Sequence, residues 1–209
     1  QGHTIQELEQ LVNATVPVDE ADIQKRVPGH YQNKEKYLME EIVVVTLDEF
    51  LKKDIPPREM ILSPILPSQG LVMIYAKTGV GKTFVALMMA YAVALGDKVF
   101  SWHAPKSRKV LYVDGEMPAA TMQDRLKSIA KGFGKELDDP SNFRIITQDL
   151  QNQGIPDLAT KEGQDIVESV LGDAELLILD NLSCLVRRTL ENESDSWLPI
   201  QEWLLKLRR

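Results

Sequence analysis

The stretch Leu71-Val72-Met73-Ile74-Tyr75-Ala76-Lys77-Thr78-Gly79-Val80-Gly81-Lys82-Thr83 constrains this chain more than any other. It reads as a short apolar strand, a loop carrying Gly79 and Gly81, and then Gly-Lys-Thr opening a helix. A phosphate chain can be wrapped by the N–H groups of a tight loop only where side chains stay out of the way, and glycines provide that access. The helix that follows begins with unpaired N–H groups and the positive end of its dipole. Lys82 can then set its ammonium between β- and γ-phosphates, and the Thr83 hydroxyl can ligate Mg²⁺. The predicted phosphate contacts therefore run from Ala76 through Lys77, Thr78, Gly79, Val80, Gly81, Lys82 and Thr83, with Phe84 next to them. Ala76 stands where the first glycine of such a loop usually sits, and its Cβ is tolerable if its φ is negative. A chance glycine turn would look similar, but strand, loop and helix in this order favour nucleotide binding.

The chain has 209 residues, which suits one sizeable α/β domain with an extension. Hydrophobic content of 44% with 26% charged residues is that of a globular protein. Cys184 is the single cysteine, so no internal disulfide forms and a reducing cytoplasm is the expected compartment. No stretch reads as a signal peptide or a membrane span, and no membrane partner is expected. A net charge of −7 argues against a protein that coats nucleic acid, while leaving room for local contacts through Lys106-Ser107-Arg108-Lys109 or Arg187-Arg188. A solvated basic pair is the ordinary reading of the latter. The opening Gln1-Gly2-His3 lacks methionine and reads as an expression remnant or an internal boundary.

Residues 1–46 read as an N-terminal extension or linker and residues 47–209 as the core. Ile5, Leu8, Leu11 and Val12 share a helical face, and Pro17, Pro28 and Gly29 then leave 13–40 as loop or arm. Ile42–Thr46 is β-branched and predicts a strand; Leu47, Phe50 and Leu51 predict a short helix ending before Ile55-Pro56-Pro57. Lys82–Leu95 is apolar almost all round and predicts a buried helix stopped by Gly96. Gly96–Lys109 reads as a connector, whose His103 is more simply a surface or packing residue than a catalytic one. Strands are predicted at Val110–Asp114, Phe143–Thr147 and Leu176–Asp180, the last buried on both faces. Between them lie a helix with Met122, Leu126, Ile129 and Phe133 inward, and a helix capped by Thr160 with Ile166, Val167, Val170 and Leu171 inward. A final helix carries Trp197, Ile200, Trp203, Leu204 and Leu207, with Pro199 expected in its first turn. Strands alternating with helices imply a parallel α/β sheet.

Two strand ends carry the candidate chemistry. Asp180 ends an apolar strand, where a carboxylate can reach Mg²⁺ beside the phosphate loop; a turn or cap Asp is the plainer alternative. Glu116 lies two residues beyond Asp114, and ligands of open α/β sheets gather at that edge. ATP hydrolysis needs a group that orients and deprotonates water in line with the γ-phosphate. Glu116 is the candidate base and Asp114 the alternative, unless both only cap the helix that Pro118 starts.

With Leu111-Tyr112-Val113-Asp114-Gly115-Glu116-Met117-Pro118 and Leu177-Ile178-Leu179-Asp180-Asn181-Leu182-Ser183 beside the phosphate loop, the chain resembles the RecA-like AAA-type ATPases of plasmids, phages and mobile elements, related to RepA hexameric replicative helicases. Glu191-Asn192-Glu193-Ser194, Ser196-Trp197-Leu198-Pro199 and Trp203-Leu204-Leu205 to Arg209 are similar too, so the likeness spans about residues 47–209. It implies a RecA-like P-loop NTPase sheet between helices, with ATP and Mg²⁺ as cofactors. It places the catalytic base on Glu116, the Walker A lysine and threonine on Lys82 and Thr83, and the Walker B aspartate on Asp180. It also implies a homo-oligomeric ring, with the hexamer as one such form, ATP between subunits, movement on single-stranded DNA, and association with a primase-type region. Residues 1–46 would then be the tail of such a linker.

In that class a further strand, carrying a polar sensor residue, lies between the P-loop strand and the Walker B strand. The chain stops at Arg208-Arg209, before it and before the distal basic residues. A fragment is the expected explanation, with pairing by Ile42–Thr46 or by a partner as alternatives, and weak hydrolysis the expected consequence. Three functions compete: a DNA-linked motor ATPase (helicase or loader), a nucleotide-gated regulatory or assembly module with little turnover, and a small-molecule kinase. Glu116 disfavours the kinase, since it suits water as the nucleophile, and no arginine lid is evident.

Overall fold

The computed structural model describes residues 43–187 and 193–208, and the chain divides into two compact units, residues 1–55 and 56–209. The expected helix near Ile5 and the arm at 13–40 lie outside the described residues, as does Ile42. In the first unit Val43–Thr46 is not the strand its β-branching predicts: Val43 and Val44 are exposed, with no partner strand among the described residues. Thr46 instead caps helix α1 (Leu47–Lys52), its side chain accepting from Glu49 N–H while the Glu49 carboxylate accepts from Thr46 N–H. Helix α1 ends before Ile55-Pro56-Pro57, as expected.

In the second unit, a short hairpin of β1 (Met60–Leu62) and β2 (Leu66–Pro67) precedes the phosphate loop. Helix α2 (Lys82–Leu95) follows with the predicted bounds, and Gly96 ends it at φ 70°, donating its N–H back into the last turn. Its residues Leu87, Ala90, Ala92 and Val93 are sealed from solvent, as an all-round apolar helix requires. The predicted connector holds a second small hairpin, β3 (Lys98–Val99) with β4 (Trp102–His103); His103 is exposed and its backbone bridges to Ser63.

Then come β5 (Val110–Asp114), α3 (Ala119–Phe133), β6 (Phe143–Thr147), α4 (Lys161–Leu171), β7 (Leu176–Asp180), the short α5 (Leu182–Leu185) and α6 (Glu193–Leu207). The strands form a parallel sheet in the order β6–β5–β7, giving the α/β P-loop NTPase fold. β5 is central and buried throughout, and its alternation splits the core in two. Val110 and Tyr112 pack with α2 and α3; Leu111 and Val113 pack with Leu158, Val167, Leu185 and Trp203 on the other face.

Four further expectations need correction. Leu71–Tyr75 is not a strand: among the described residues no strand pairs with it, and its side chains are exposed, Tyr75 at 93%. For the same reason β7 is an edge strand, so Leu177, Ile178 and Leu179 are half-buried rather than covered on both faces. Helix α4 turns a different face inward: Gly163, Gln164 and Val167 are buried while Ile166 and Val170 are exposed. Gly163 sets that rotation by close approach, since a Cβ there would stand 2.1 Å from the Asp157 carbonyl oxygen. Pro199 lies inside α6 rather than in its first turn; the buried Ile200 and Trp203 anchor the helix beyond it, and one missing N–H is tolerated.

The basic run at 106–109 is not a free patch. Arg108 is buried and pairs with Glu59 and Glu175, Lys106 pairs with Glu59, and Lys109 with Asp173. No helix among the described residues is long and apolar enough to cross a membrane.

Candidate nucleotide-binding site

Residues 71–77 carry no regular structure, Thr78–Val80 turn, and α2 starts at Lys82. Gly79 and Gly81 sit at φ 85° and 95°, a conformation that side-chain-bearing residues rarely adopt. A Cβ at either position would meet nothing within 4 Å, so backbone conformation and open space, not packing, ask for glycine there. Ala76 is not among the positive-φ residues, and its Cβ is therefore unstrained. Gly81 caps α2 without any side-chain acceptor, and no acidic residue occupies the first turn. The helix thus begins with N–H groups and dipole unanswered.

Lys82 Nζ donates to the carbonyl oxygens of Ala76 (2.8 Å) and Lys77 (3.1 Å). The ammonium folds over the loop with carbonyls as its partners and, among the described residues, no carboxylate to neutralise it. An uncapped helix start, two left-handed glycines and an uncompensated ammonium together suit a polyphosphate.

The acidic groups meet at the opposite strand ends. Asp114 and Asp180 are register partners on β5 and β7, and Gly115 N–H donates to the Asp180 carbonyl at 2.9 Å. Asp114 is 1% exposed and accepts from Met117 N–H at 2.9 Å. Burial, offset by that N–H and reinforced by the Asp180 charge, pushes its carboxyl up to about 6. Asp180 is also buried and accepts from the Tyr112 hydroxyl at 2.6 Å; burial and that carboxylate push the phenol well above its ordinary range. Thr147, beside Asp114 in the register on β6, is buried, and no partner for its hydroxyl oxygen stands among the described residues. Glu116 is exposed, and its Oε2 accepts from Asn181 Nδ2 at 2.5 Å, with Cys184 Sγ at 3.7 Å.

Among the described residues no group of three or more His, Cys, Asp or Glu side chains is placed to hold a metal ion. Such a donor set fits Mg²⁺ only as a guest of nucleotide phosphates, which needs few protein ligands: Thr83 and Asp180 would serve.

The structure therefore brings Asp114, Glu116 and Asp180 to one sheet edge and groups Lys82 with Ala76 and Lys77. Thr83 and Phe84 lie in the first turn of α2, Phe84 at 40% exposure. Arg187 is exposed, its N–H donating to Asp157, and Arg188 lies outside the described residues. Sequence reasoning gave no role to Tyr112, Gly115 or Asn181. An Asn directly after a strand is a cap signal that could have been read; its bond to a carboxylate 65 positions away could not. Residues 34–209 match the family model described as AAA domain, a span that includes the loop and both acidic strand ends. No curated protein matches the chain.

Proposed function

We infer that this chain, which belongs to the AAA domain family of nucleotide-binding ATPases, hydrolyses ATP as a DNA-linked motor, a helicase or helicase loader. It would work in the cytoplasm as a ring-shaped homo-oligomer on single-stranded DNA. The observation that carries hydrolysis is the register pair Asp114–Asp180 with exposed Glu116 just beyond it. The DNA-linked part rests on the resemblance of Asp-Gly-Glu-Met-Pro and Asp-Asn-Leu-Ser to mobile-element helicases.

In this reading the loop N–H groups and the first turn of α2 bind the phosphates, and Lys82 exchanges two carbonyls for phosphate oxygens. Mg²⁺, held by Thr83 and Asp180, would supply positive charge to the γ-phosphate. Tyr112 and Met117 fix the directions of the Asp180 and Asp114 carboxylates. Glu116 accepts a proton from water as its oxygen bonds to the γ-phosphorus; the bond to the bridging oxygen breaks, and ADP leaves with that electron pair.

Segment 71–77, which pairs with no strand among the described residues, favours a second reading, a nucleotide-gated module with little turnover, because the loop is anchored chiefly through α2. Steady-state ATPase with and without single-stranded DNA, wild type against Glu116→Gln, separates the two. The motor reading expects DNA to raise turnover and Glu116→Gln to abolish it while ATP still binds. A low rate indifferent to both sinks the motor and leaves the module.

A further inference from the structure

The side chain of Asn181 is committed at both ends. Its Oδ1 accepts from Cys184 N–H at 3.0 Å and from the Ser183 hydroxyl at 2.5 Å, capping α5. With the carbonyl end so used, the amide nitrogen can only point away from α5, and it meets Glu116 Oε2. Glu116 is delivered to this position by Gly115. A Cβ on Gly115 would stand 2.9 Å from Leu185 Cδ2 and 3.2 Å from Cys184 Cβ, so only glycine lets the turn after β5 lie against α5. Leu185 is sealed from solvent and forms part of the core under β5, which makes α5 a fixed support rather than a loose loop. Among the described residues no donor engages the other carboxylate oxygen, Oε1.

We propose that Asn181 is the positioning residue for Glu116, pinning Oε2 so that Oε1 is left as the single basic oxygen toward water. This rests on the reading of Glu116 as the base. A carboxylate on an exposed turn samples several rotamers, and a fixed donor removes that freedom before ATP arrives. The effect belongs to the chemical step and not to nucleotide affinity, because among the described residues the Asn181 side chain bonds to Glu116, Ser183 and Cys184 and to no residue of the phosphate loop.

Two substitutions keep the α5 cap and remove the donor. Asn181→Asp retains an acceptor for Cys184 N–H but sets a carboxylate against Glu116; Asn181→Ser retains a cap oxygen too short to reach it. Both should lower kcat by about tenfold or more, the usual scale for a displaced acid–base group, with KM for ATP and nucleotide affinity near wild type. A second readout needs no turnover. Cys184 is the single thiol; burial first and then the charge and hydrogen bond of Glu116 push it up, each outweighing the smaller downward pull of Ser183 and of Asn181 itself. In Asn181→Ser the carboxylate is released, and alkylation of Cys184 by iodoacetamide should quicken by about threefold or more. Wild-type kcat in both variants, or wild-type alkylation in Asn181→Ser, overturns the positioning role. Turnover that survives Glu116→Gln while alkylation still responds to Asn181→Ser would instead overturn Glu116 as the base and leave the pinning in place.

Discussion

Asp114 shows how one buried carboxyl couples the strand ends to pH. Its folded value of about 6 lies above the ordinary 3.8, because a fully buried position beside Asp180 disfavours the ionised form. The folded state therefore holds the proton more tightly than the unfolded chain between these values. The corresponding stability is fully present below about pH 3.8 and is lost as pH rises through about 6. Asp114→Asn keeps the acceptor for Met117 N–H and removes the charge. In nucleotide-free, chelator-treated protein the variant should be the more stable at pH 7, by on the order of 2 kcal/mol, with the gap closing toward pH 4. Denaturant melts of both proteins across that range check it; a pH-independent gap would refute the burial argument. Lys82 makes a complementary case. Among the described residues its ammonium is held by carbonyl oxygens alone, so Lys82→Ala should cost nucleotide binding at least about tenfold by fluorescent-nucleotide titration, while leaving the melting temperature nearly unchanged.

Among the elements, α4 is where periodicity misleads and packing decides. The apolar residues Ile166, Val167, Val170 and Leu171 suggest one inward face, yet Gln164 takes an inward place and donates to the Leu158 carbonyl at 3.0 Å. Gly163 permits this because its Cα rests on the Asp157 backbone. By helix propensity alone Gly163→Ala should stabilise by about 1 kcal/mol. The clash with a backbone carbonyl opposes it, and we expect a net loss of about 2 kcal/mol or more with a lowered melting temperature. An unchanged or raised melting temperature would show that α4 can rotate at little cost.

At the scale of the second unit, the sheet among the described residues has one central strand, β5, and two edges, β6 and β7. β5 pairs along its whole length with both neighbours, whereas β7 ends the sheet and 71–77 donates no backbone hydrogen bond among the described residues. Native-state hydrogen exchange should therefore find Val110–Asp114 among the slowest amides and 71–77 exchanging nearly unprotected. Protection at 71–75 comparable to β5 would mean that these residues are paired in solution. The buried Arg108, bridging Glu59 and Glu175, ties the hairpin region to the foot of β7.

Much of this protein follows from local pattern alone. Glycine spacing before Lys82, an all-round apolar helix ended by Gly96, and apolar runs ending in Asp114 and Asp180 each encode their element within a few residues, and two of those ends meet because parallel strands align their C-termini. Local pattern failed where the outcome depended on a distant neighbour. Leu71–Tyr75 has the composition of a strand but, among the described residues, no partner strand receives its hydrogen bonds, and Ile166 and Val170 are apolar at the right spacing on a helix whose rotation Asp157 sets. The Asn181–Glu116 bond is of the same kind: the cap is written beside Asn181, but what its amide meets is decided by how β5 and β7 register and how closely Gly115 approaches Leu185. Propensity acts over a turn of chain, while register and close approach depend on the whole packed core, and only the tertiary structure could decide them.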